Sequence, residues 1–387
     1  MSRRRRKHVA IVMHRWVGYL HGVQLGIAKY VTQKPDWICT HFLPDPPGLE
    51  IFSKHPVDGI IAYLEPHYVT NLQAPGVPVI DVSNWMTEQP FSRVIPDDQK
   101  IGVLAADYLC DLGLKNFAFR GHPHAVFSHL RHQAFSRRLE EHGFTNHVWP
   151  TDVLPDPRLK PPTGVDPSIL TWLIRLPKPV GIFCAHDLLA CDMIDLCRHT
   201  GLRVPEDVCV LGVDNDELLT QISHPPVSSI TLQTEKIGFE SARLLDRLMR
   251  CPTTHKQVIL VPPGGVIARQ STNLLAIEDQ TVLTALRYIR EHIHERISVE
   301  DLMEVIPVNR RFLERRFREH LGRTPLQEIR RVRIETAKKL LSETDLAMPA
   351  IARRSGFSNA ERLSSVFHSM TGMTPTQYRR QFRLHDT

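Results

Sequence analysis

The sequence predicts an α/β domain built on parallel sheets, followed by an all-α domain with two helix-turn-helix motifs. Three observations lead there. Short apolar runs alternate with amphipathic stretches over residues 8–214, residues 309–330 recur at 359–380, and positive charge gathers at the two ends of the 387-residue chain. A chain of this length suits two or three domains.

The first part reads in order as follows. "HVAIVM" (8–13) is an expected strand, and "GYLHGVQLGIAKYVTQ" an expected helix with Leu20, Val23, Ile27, Tyr30 and Val31 turned inward. "DWICTHF", "DGIIAY" and "VPVIDVS" are further strands. "DDQKIGVLAADYLCDLG" is a helix, "NFAFRG" a strand and "SHLRHQAFSRRLEEHG" a helix. "VGIFCA", "DLLACDMIDLCRHTG" and "DVCVLGVD" give strand, helix and strand. Alternation at this spacing implies parallel sheets covered by helices. Such sheets place ligands at the carboxyl ends of their strands.

The second part repeats itself. At an offset of fifty, Asn309, Leu313, Phe317, Gly322, Thr324, Pro325, Gln327 and Arg330 match Asn359, Leu363, Phe367, Gly372, Thr374, Pro375, Gln377 and Arg380. Eight identities in 22 positions compare with roughly one expected from unrelated sequence, so the repeat organises the domain. Leu313, Phe317 and Leu321 form one apolar stripe. Gly322 suits the residue that closes a helix. Thr324, Pro325 and Gln327 then read as N-cap, first helical residue and capping-box partner, and Thr374, Pro375 and Gln377 repeat them. A shorter helix precedes each copy: "SVEDLMEV", capped by Ser298, and "PAIARRSGF", turning at Gly356. Short helix, tight turn and longer helix make the helix-turn-helix plan, whose second helix enters a major groove.

The residues off the stripe suit base edges. Asn309, Arg310, Arg311, Glu314 and Arg315 form that face in the first copy, with Arg318 beyond them. Asn359, Glu361, Arg362, Ser364 and Ser365 form it in the second. Arg reads guanine bidentately and Glu accepts from a cytosine amine. "TPLQEIRRVRIETAKKLLSET" reads as one long helix whose Ile329, Val332, Ala337, Leu340 and Leu341 pack between the two modules. It would hold two readers about one helical turn of DNA apart, ~34 Å.

Charge supports this division. Residues 278–387 hold 20 Lys and Arg against 15 Asp and Glu, a net +5. Residues 8–277 hold 23 against 27, a net −4, and "RRRRK" (3–7) supplies the other +5. A basic half fits phosphate, and a near-neutral half fits a sensor. The leader 1–7 is expected to be a solvated basic tail; the five apolar residues after it are too few for a signal peptide. No stretch approaches the ~18 apolar residues of a membrane span. The seven cysteines contain no C-x-x-C, which fits reduced thiols in a cytoplasmic protein. Nucleotide-loop, zincin and nucleophile-elbow motifs are absent from the sequence, so no catalytic residue is assigned and an enzyme is not expected. An architectural DNA binder without effector remains a competing class.

Residues 282–383 resemble the AraC-type DNA-binding domain through "IARRSGF", the Phe367 position and "TGMTPTQYRR". The stretch "GIFCAHDLLACDMIDLCRHTGLRVPEDVCVLGVDNDELL" (181–219) resembles the hallmark of LacI/GalR-type sensor domains, and "VIPDDQKIGVLAADYLCDLGLKNFAFRG" (94–121) an earlier part of that fold. The resemblance implies a periplasmic-binding-protein-like sensor of two Rossmann-like lobes, with a sugar-sized cleft between them. Its implied span is 8–270, leaving 271–279 as linker and 280–387 as reader. A sensor of one family joined to a reader of the other resembles the regulators of xylose operons. That implies xylose or a related sugar as effector, activation of a catabolic operon, and double-stranded operator DNA, a second copy of the chain and RNA polymerase as partners. A repressor, or a regulator answering another sugar-like metabolite, is the alternative.

Candidate effector residues come from strand ends: Asp187 after "GIFCAH", Asp214 closing "VCVLGVD" and Asn84 after "VIDVS". Arg131 stands where the sensor family commonly has a ligand-contacting Arg. Carboxylates, an amide and a guanidinium can each bond two sugar hydroxyls. Trp16, Tyr19 and Trp85 could stack on a sugar face, with core packing as the plainer role. For Asp187 the plainer role is capping a helix N-terminus. Asp97 and Asp98 could likewise hold hydroxyls. The four histidines of "HPHAVFSHLRH" (122–132) invite a metal, but they straddle a loop and a helix start, so neither metal nor cofactor is assigned.

Overall fold

The computed structural model describes residues 6–14, 18–44, 56–66, 76–87, 90–149, 164–251, 255–273, 279–321 and 323–382. Trp16 and Gly322 lie outside them.

Twelve strands among the described residues form two sheets. The first contains β1 (Lys7–Val12), β2 (Trp37–Phe42), β3 (Gly59–Ala62), β4 (Val79–Asp81), β5 (Ser92–Pro96) and the late β11 (Val258–Val261). Its order is β11-β5-β4-β3-β1-β2, every pair parallel. The second contains β6 (Asn116–Arg120), β7 (Asn146–Trp149), β8 (Val180–Cys184), β9 (Val208–Asp214), β10 (Ser228–Thr231) and β12 (Gly265–Ile267). Its order is β12-β10-β9-β8-β6-β7, parallel except for β12. The strand "VGIFC" is buried throughout because helices cover both faces of the second sheet, and "GIIA" is buried throughout in the first.

Helix α1 (Gly18–Val31) lies on the first sheet and buries Leu20, Val23, Ile27 and Tyr30. α2 (Asp98–Asp111) and α3 (Val126–Glu141) cover one face of the second sheet, while α4 (Pro167–Arg175) and α5 (Asp187–His199) cover the other. α6 (Glu217–Ile222) follows β9. α7 (Thr234–Arg250) returns to the first lobe and packs beside α1 through Ile237, Leu244 and Leu245.

The backbone crosses between lobes after Pro96, Thr231 and Val261. The crossings are tied together: Asp97 N donates to Val261 O, Gly264 N to Thr231 O and Gln233 Nε2 to Pro262 O, at 2.8, 2.9 and 2.9 Å. This is the two-lobed architecture the sequence implied.

Lys7 belongs to β1 rather than to a tail, because its ammonium reaches the buried Asp246 carboxylate at 3.0 Å. At the other boundary, Ser271 and Thr272 are buried in a short 3-10 turn, and Ser271 Oγ donates to Val210 O. Asp279 caps the next helix. Both ends of the expected 271–279 linker thus belong to folded elements; residues 274–278 lie outside the described residues.

The last domain holds α8 (Gln280–Glu291), α9 (Val299–Val305), α10 (Arg310–Leu321), α11 (Pro325–Glu343), α12 (Met348–Arg354), α13 (Ala360–Thr371) and α14 (Pro375–Phe382). Reciprocal capping boxes occur at Ser298/Asp301 and Thr324/Gln327. Thr374 and Gln377 exchange the same pair of bonds. Gly372 closes α13 at φ 72°, a conformation that favours glycine.

Two small cores result. Leu302, Leu313 and Phe317 share one with Ile329; Ile351, Leu363 and Phe367 share the other with Ile334, Ala337 and Leu341. α11 contributes to both, so the two helix-turn-helix units ride on one rod. Because both cores draw only on residues 282–378, a fragment of 278–387 is expected to fold and bind DNA without answering sugar. Circular dichroism and gel-shift titration check this; an unfolded fragment would mean that the reader needs the sensor's surface.

Candidate functional site

Between the lobes, strand ends and two helix starts bring buried polar groups together. Asp98, at the head of α2, is 3% exposed. Its Oδ1 accepts from Arg131 Nε at 2.8 Å and its Oδ2 from Asn84 Nδ2 at 2.7 Å. Arg131 also donates to Ala185 O and lies over the Phe127 ring, 5.0 Å from its centroid. Asn84 Oδ1 accepts from Arg93 at 3.2 Å. The main chain at residues 84 and 85 reaches across the cleft: Phe127 N donates to Asn84 O and Val126 N to Trp85 O, at 2.9 and 3.1 Å.

Asp214 faces the same cluster from the end of β9. Burial pushes its carboxyl up to about 7; the Arg131 charge opposes this, while Asp216 and Asp98 add to it. Asp214 and Asn215 stand at φ 107° and 51°, left-handed values that fix the turn aiming this carboxyl. Tyr19 completes the cluster from α1. Its hydroxyl donates to Val82 O at 2.8 Å, and burial, then Tyr63, Asp214, Asp98 and Asp81, raise its pKa.

An aromatic wall adjoins these groups. Trp85 Nε1 donates to Tyr63 Oη at 2.7 Å, and its ring meets Phe127 edge-on at 5.3 Å and His122 at 5.6 Å. His186 caps α5 by accepting from Leu189 N through Nδ1, so its proton sits on Nε2 and is donated to His122 Nε2 at 3.1 Å. Burial, His122, Arg131 and Arg120 push His186 down to about 3, and burial first of all lowers His122. Both rings are neutral at pH 7. Buried carboxylates, a guanidinium, an amide, neutral imidazoles and aromatic faces suit a polyhydroxylated ligand.

Of the expected residues, Asn84, Arg131, Asp214 and Tyr19 come together here. Trp16 lies outside the described residues. Asp187 takes another place: it is 1% exposed, its Oδ1 accepts from Ser229 Oγ at 2.6 Å and its Oδ2 from Asp216 N at 2.8 Å. It braces the turn after β9 against β10, and His186 holds the capping position expected of it. Asp98, one of the two acids that could hold hydroxyls, is also in the cluster, whereas Tyr63, Phe127 and His186 are not among the expected residues. Tyr63 follows β3 and His186 follows β8, so the strand-end rule would have found both. No group of three metal-capable side chains converges among the described residues. His129 bonds Pro123 O, and His132 stacks on Phe119.

The raised carboxyl of Asp214 gives a signed pH dependence. The folded protein keeps this proton to about pH 7, whereas the unfolded chain loses it near 3.9. The resulting stability is full below about pH 4 and is lost as pH rises through about 7. A sugar held by the ionised carboxylate shows the opposite slope, with Kd falling about tenfold per pH unit up to about 7. Calorimetric titrations with D-xylose on both sides of that pH check it; a flat profile excludes Asp214 as the acceptor.

In the reader, α10 exposes Arg310, Arg311, Arg315 and Arg318, with Glu314 half-buried among them. Arg310 is tied to Glu300 and Glu314 at 2.8 and 3.0 Å, while Arg315 stands 3.7 Å from Glu319. Arg311 makes no ion pair among the described residues. Asn309 and Asn359 do not present their carbonyl oxygens outward: they cap α10 and α13, accepting from Phe312 N and Arg362 N at 2.9 and 2.8 Å. On α13, Glu361, Arg362 and Ser365 are exposed and Ser364 half-buried, a less basic face. Arg311→Ala or Arg315→Ala is expected to cost about 1–3 kcal/mol at one base pair and relax specificity there. Gel shifts on a set of single-base variants check this; unchanged preference in both proteins would show that α10 does not read bases.

Known proteins agree with this division. Residues 106–272 match the periplasmic binding protein-like domain family and residues 302–381 a helix-turn-helix domain family. The xylose operon regulatory protein of Haemophilus influenzae is 31% identical over 84% of this chain and 85% of its own. That of Escherichia coli K12 is 30% identical over 83% of each chain. A solved structure of a xylose-binding transcription activator aligns over 98% of this chain and 100% of its own, at 26% identity and a TM-score of 0.61.

Proposed function

This chain belongs to the xylose operon regulatory protein family of transcription regulators, and we propose that D-xylose or a closely related pentose, bound between its lobes, raises its affinity for operator DNA and activates a sugar-catabolic operon. The observation that carries this is the cluster of Asp98, Arg131, Asn84 and Asp214 beside Trp85 and Phe127. These groups come from both lobes, so a ligand there stabilises their closed arrangement. A ligand shifts such an equilibrium only through its differential affinity for the two states. Closure would reorient the readers of a homodimer so that both engage direct or inverted half-sites, with RNA polymerase recruited beside them in the cytoplasm.

Asp187 supports the site from behind, and Tyr19 lines it. Arg311 and Arg315 read bases from α10, Arg310 and Glu314 form their supporting pair, and α13 makes the weaker contacts. The described helices include none long and apolar enough to cross a membrane.

A thermal-shift screen with a sugar panel tests the reading. A true effector at ~100 times its Kd stabilises the sensor by roughly 2.7 kcal/mol. D-Xylose should lead the panel. No shift with any pentose would exclude a pentose effector, and turnover of a sugar would point to an enzyme.

A further inference from the structure

The helix that begins at the sugar site ends on the DNA reader. Asp98 and Asp111 are the first and last residues of α2, whose 14 residues span about 21 Å at ~1.5 Å per residue. Arg323, in the turn between α10 and α11, directs Nη1 to Asp111 Oδ1 at 3.1 Å and Nη2 to Asp111 O. Arg331 of α11 places Nη1 3.6 Å from Asp111 Oδ2. Both guanidiniums are fixed inside the reader by Glu328, which is 1% exposed and accepts from Arg323 Nε at 2.5 Å and Arg331 Nη2 at 2.8 Å. The reader's side of the contact is therefore preorganised, and Asp111 is the group that the sensor adds.

Two features make this contact a joint. α2 cannot slide independently of the sugar site: a Cβ on Gly102 would stand 2.3 Å from Arg131 O, so α2 and α3 touch backbone to backbone just where Arg131 holds Asp98. Beside the contact the two domains part around a cleft of about 1020 Å³, lined by Leu104 and Tyr108 of α2 and by Glu335, Lys338 and Tyr378 of the reader. Tyr108 also hydrogen-bonds Thr272, close to where the linker leaves the sensor, at 2.7 Å.

We propose that α2 is the transmission element of this regulator, and that the contact of Asp111 with Arg323 and Arg331 is the coupling joint that passes a change at Asp98 to the reader. This rests on the reading above that sugar binds at the head of α2. Arg323 lies next to the capping box of α11, and α11 is shared by both reader cores. A shift of Asp111 thus reaches both reading helices together. Sugar and DNA act on one element from its two ends, so the coupling is reciprocal.

The test compares full-length wild type, Asp111→Asn and Asp111→Glu. D-Xylose affinity is measured by calorimetry, and affinity for a duplex selected from a random pool is measured with and without the sugar. Small-angle scattering reports how the domains are held. Asp111→Asn is expected to bind xylose within about twofold of wild type, to lose most of the sugar-dependent change in DNA affinity and to broaden the distance distribution; Asp111→Glu should restore both. If Asp111→Asn keeps the full sugar response, the joint is a packing contact and the proposal falls, while the sugar-sensor reading stands. If the wild type shows no sugar response, that reading falls instead. Scattering then decides the joint alone: an unchanged distribution in Asp111→Asn overturns it.

Discussion

Asp214→Ala is expected to weaken D-xylose binding by roughly 10–150-fold, equivalent to ~1.5–3 kcal/mol for a lost charged hydrogen bond, and to abolish the sugar-dependent change in DNA affinity. Asp214 combines three properties that other acids near the cleft lack together: a strand-end position on β9, a left-handed backbone and a carboxyl that burial holds near neutrality. Asp98 is already bonded to Arg131 and Asn84, and Asp187 to Ser229 and the Asp216 amide. Asp214 is the acid whose charge the site leaves for a ligand. Asp214→Asn separates charge from conformation, because Asn tolerates positive φ better than Ala. Sugar binding should fall in both variants, whereas thermal stability should fall more in Asp214→Ala. DNA affinity without sugar should match wild type in both, since the bonds of this turn among the described residues stay within the sensor. A full sugar response in either variant would make Asp214 structural and move the pocket elsewhere.

The reader was more legible than the sensor, for a physical reason. Its grammar is local. Ser298, Thr324 and Thr374 cap helices through partners three residues away, and Gln327 and Gln377 answer them at that spacing. Ile329, Ala337 and Leu341 could be assigned to two cores because the repeat fixed where the modules lay. Helix periodicity alone could not separate a base-reading side chain from a cap, so Asn309 and Asn359 were placed on the DNA face although their oxygens serve the backbone.

In the sensor β1–β4, β6, β8 and β9 announce themselves, but β5, β7, β10, β11 and β12 do not, and neither do the lobes. β11 pairs with β5 from far along the chain, and nothing in "VILV" says that it returns to the first sheet. Lys7 looked like the end of a basic tail until Asp246, 239 residues on, supplied its partner. Asp98 and Asp97 looked alike as acids that could hold hydroxyls, because Asn84 and Arg131 reach Asp98 from other elements. Strand ends mark where a site lies; which side chains face it depends on pairings between distant segments.

The pairing of Arg131 with Asp98 predicts the largest loss of stability. Their side chains are 5% and 1% exposed, and they meet at 2.8 Å. Arg131→Ala strands the Asp98 carboxylate in a site that already disfavours its charge: burial raises its pKa and Arg131 is the foremost group opposing that rise. Removing one member of a buried pair costs about 3–5 kcal/mol, a loss that lowers the midpoint of a sensor of this size by roughly 6–20 °C. The variant also loses the bond to Ala185 O and the cover of the Phe127 ring, so xylose binding should vanish with the stability. The double variant Asp98→Asn/Arg131→Gln separates the two effects. A neutral hydrogen-bonding pair removes the stranded charge and should recover most of the lost midpoint, yet it lacks the cation that faces Asp214 and should still fail to bind sugar. Calorimetric scans and xylose titrations of both proteins decide the matter. A wild-type midpoint in Arg131→Ala would show that water reaches Asp98, and sugar binding by the double variant would show that the guanidinium only holds the fold.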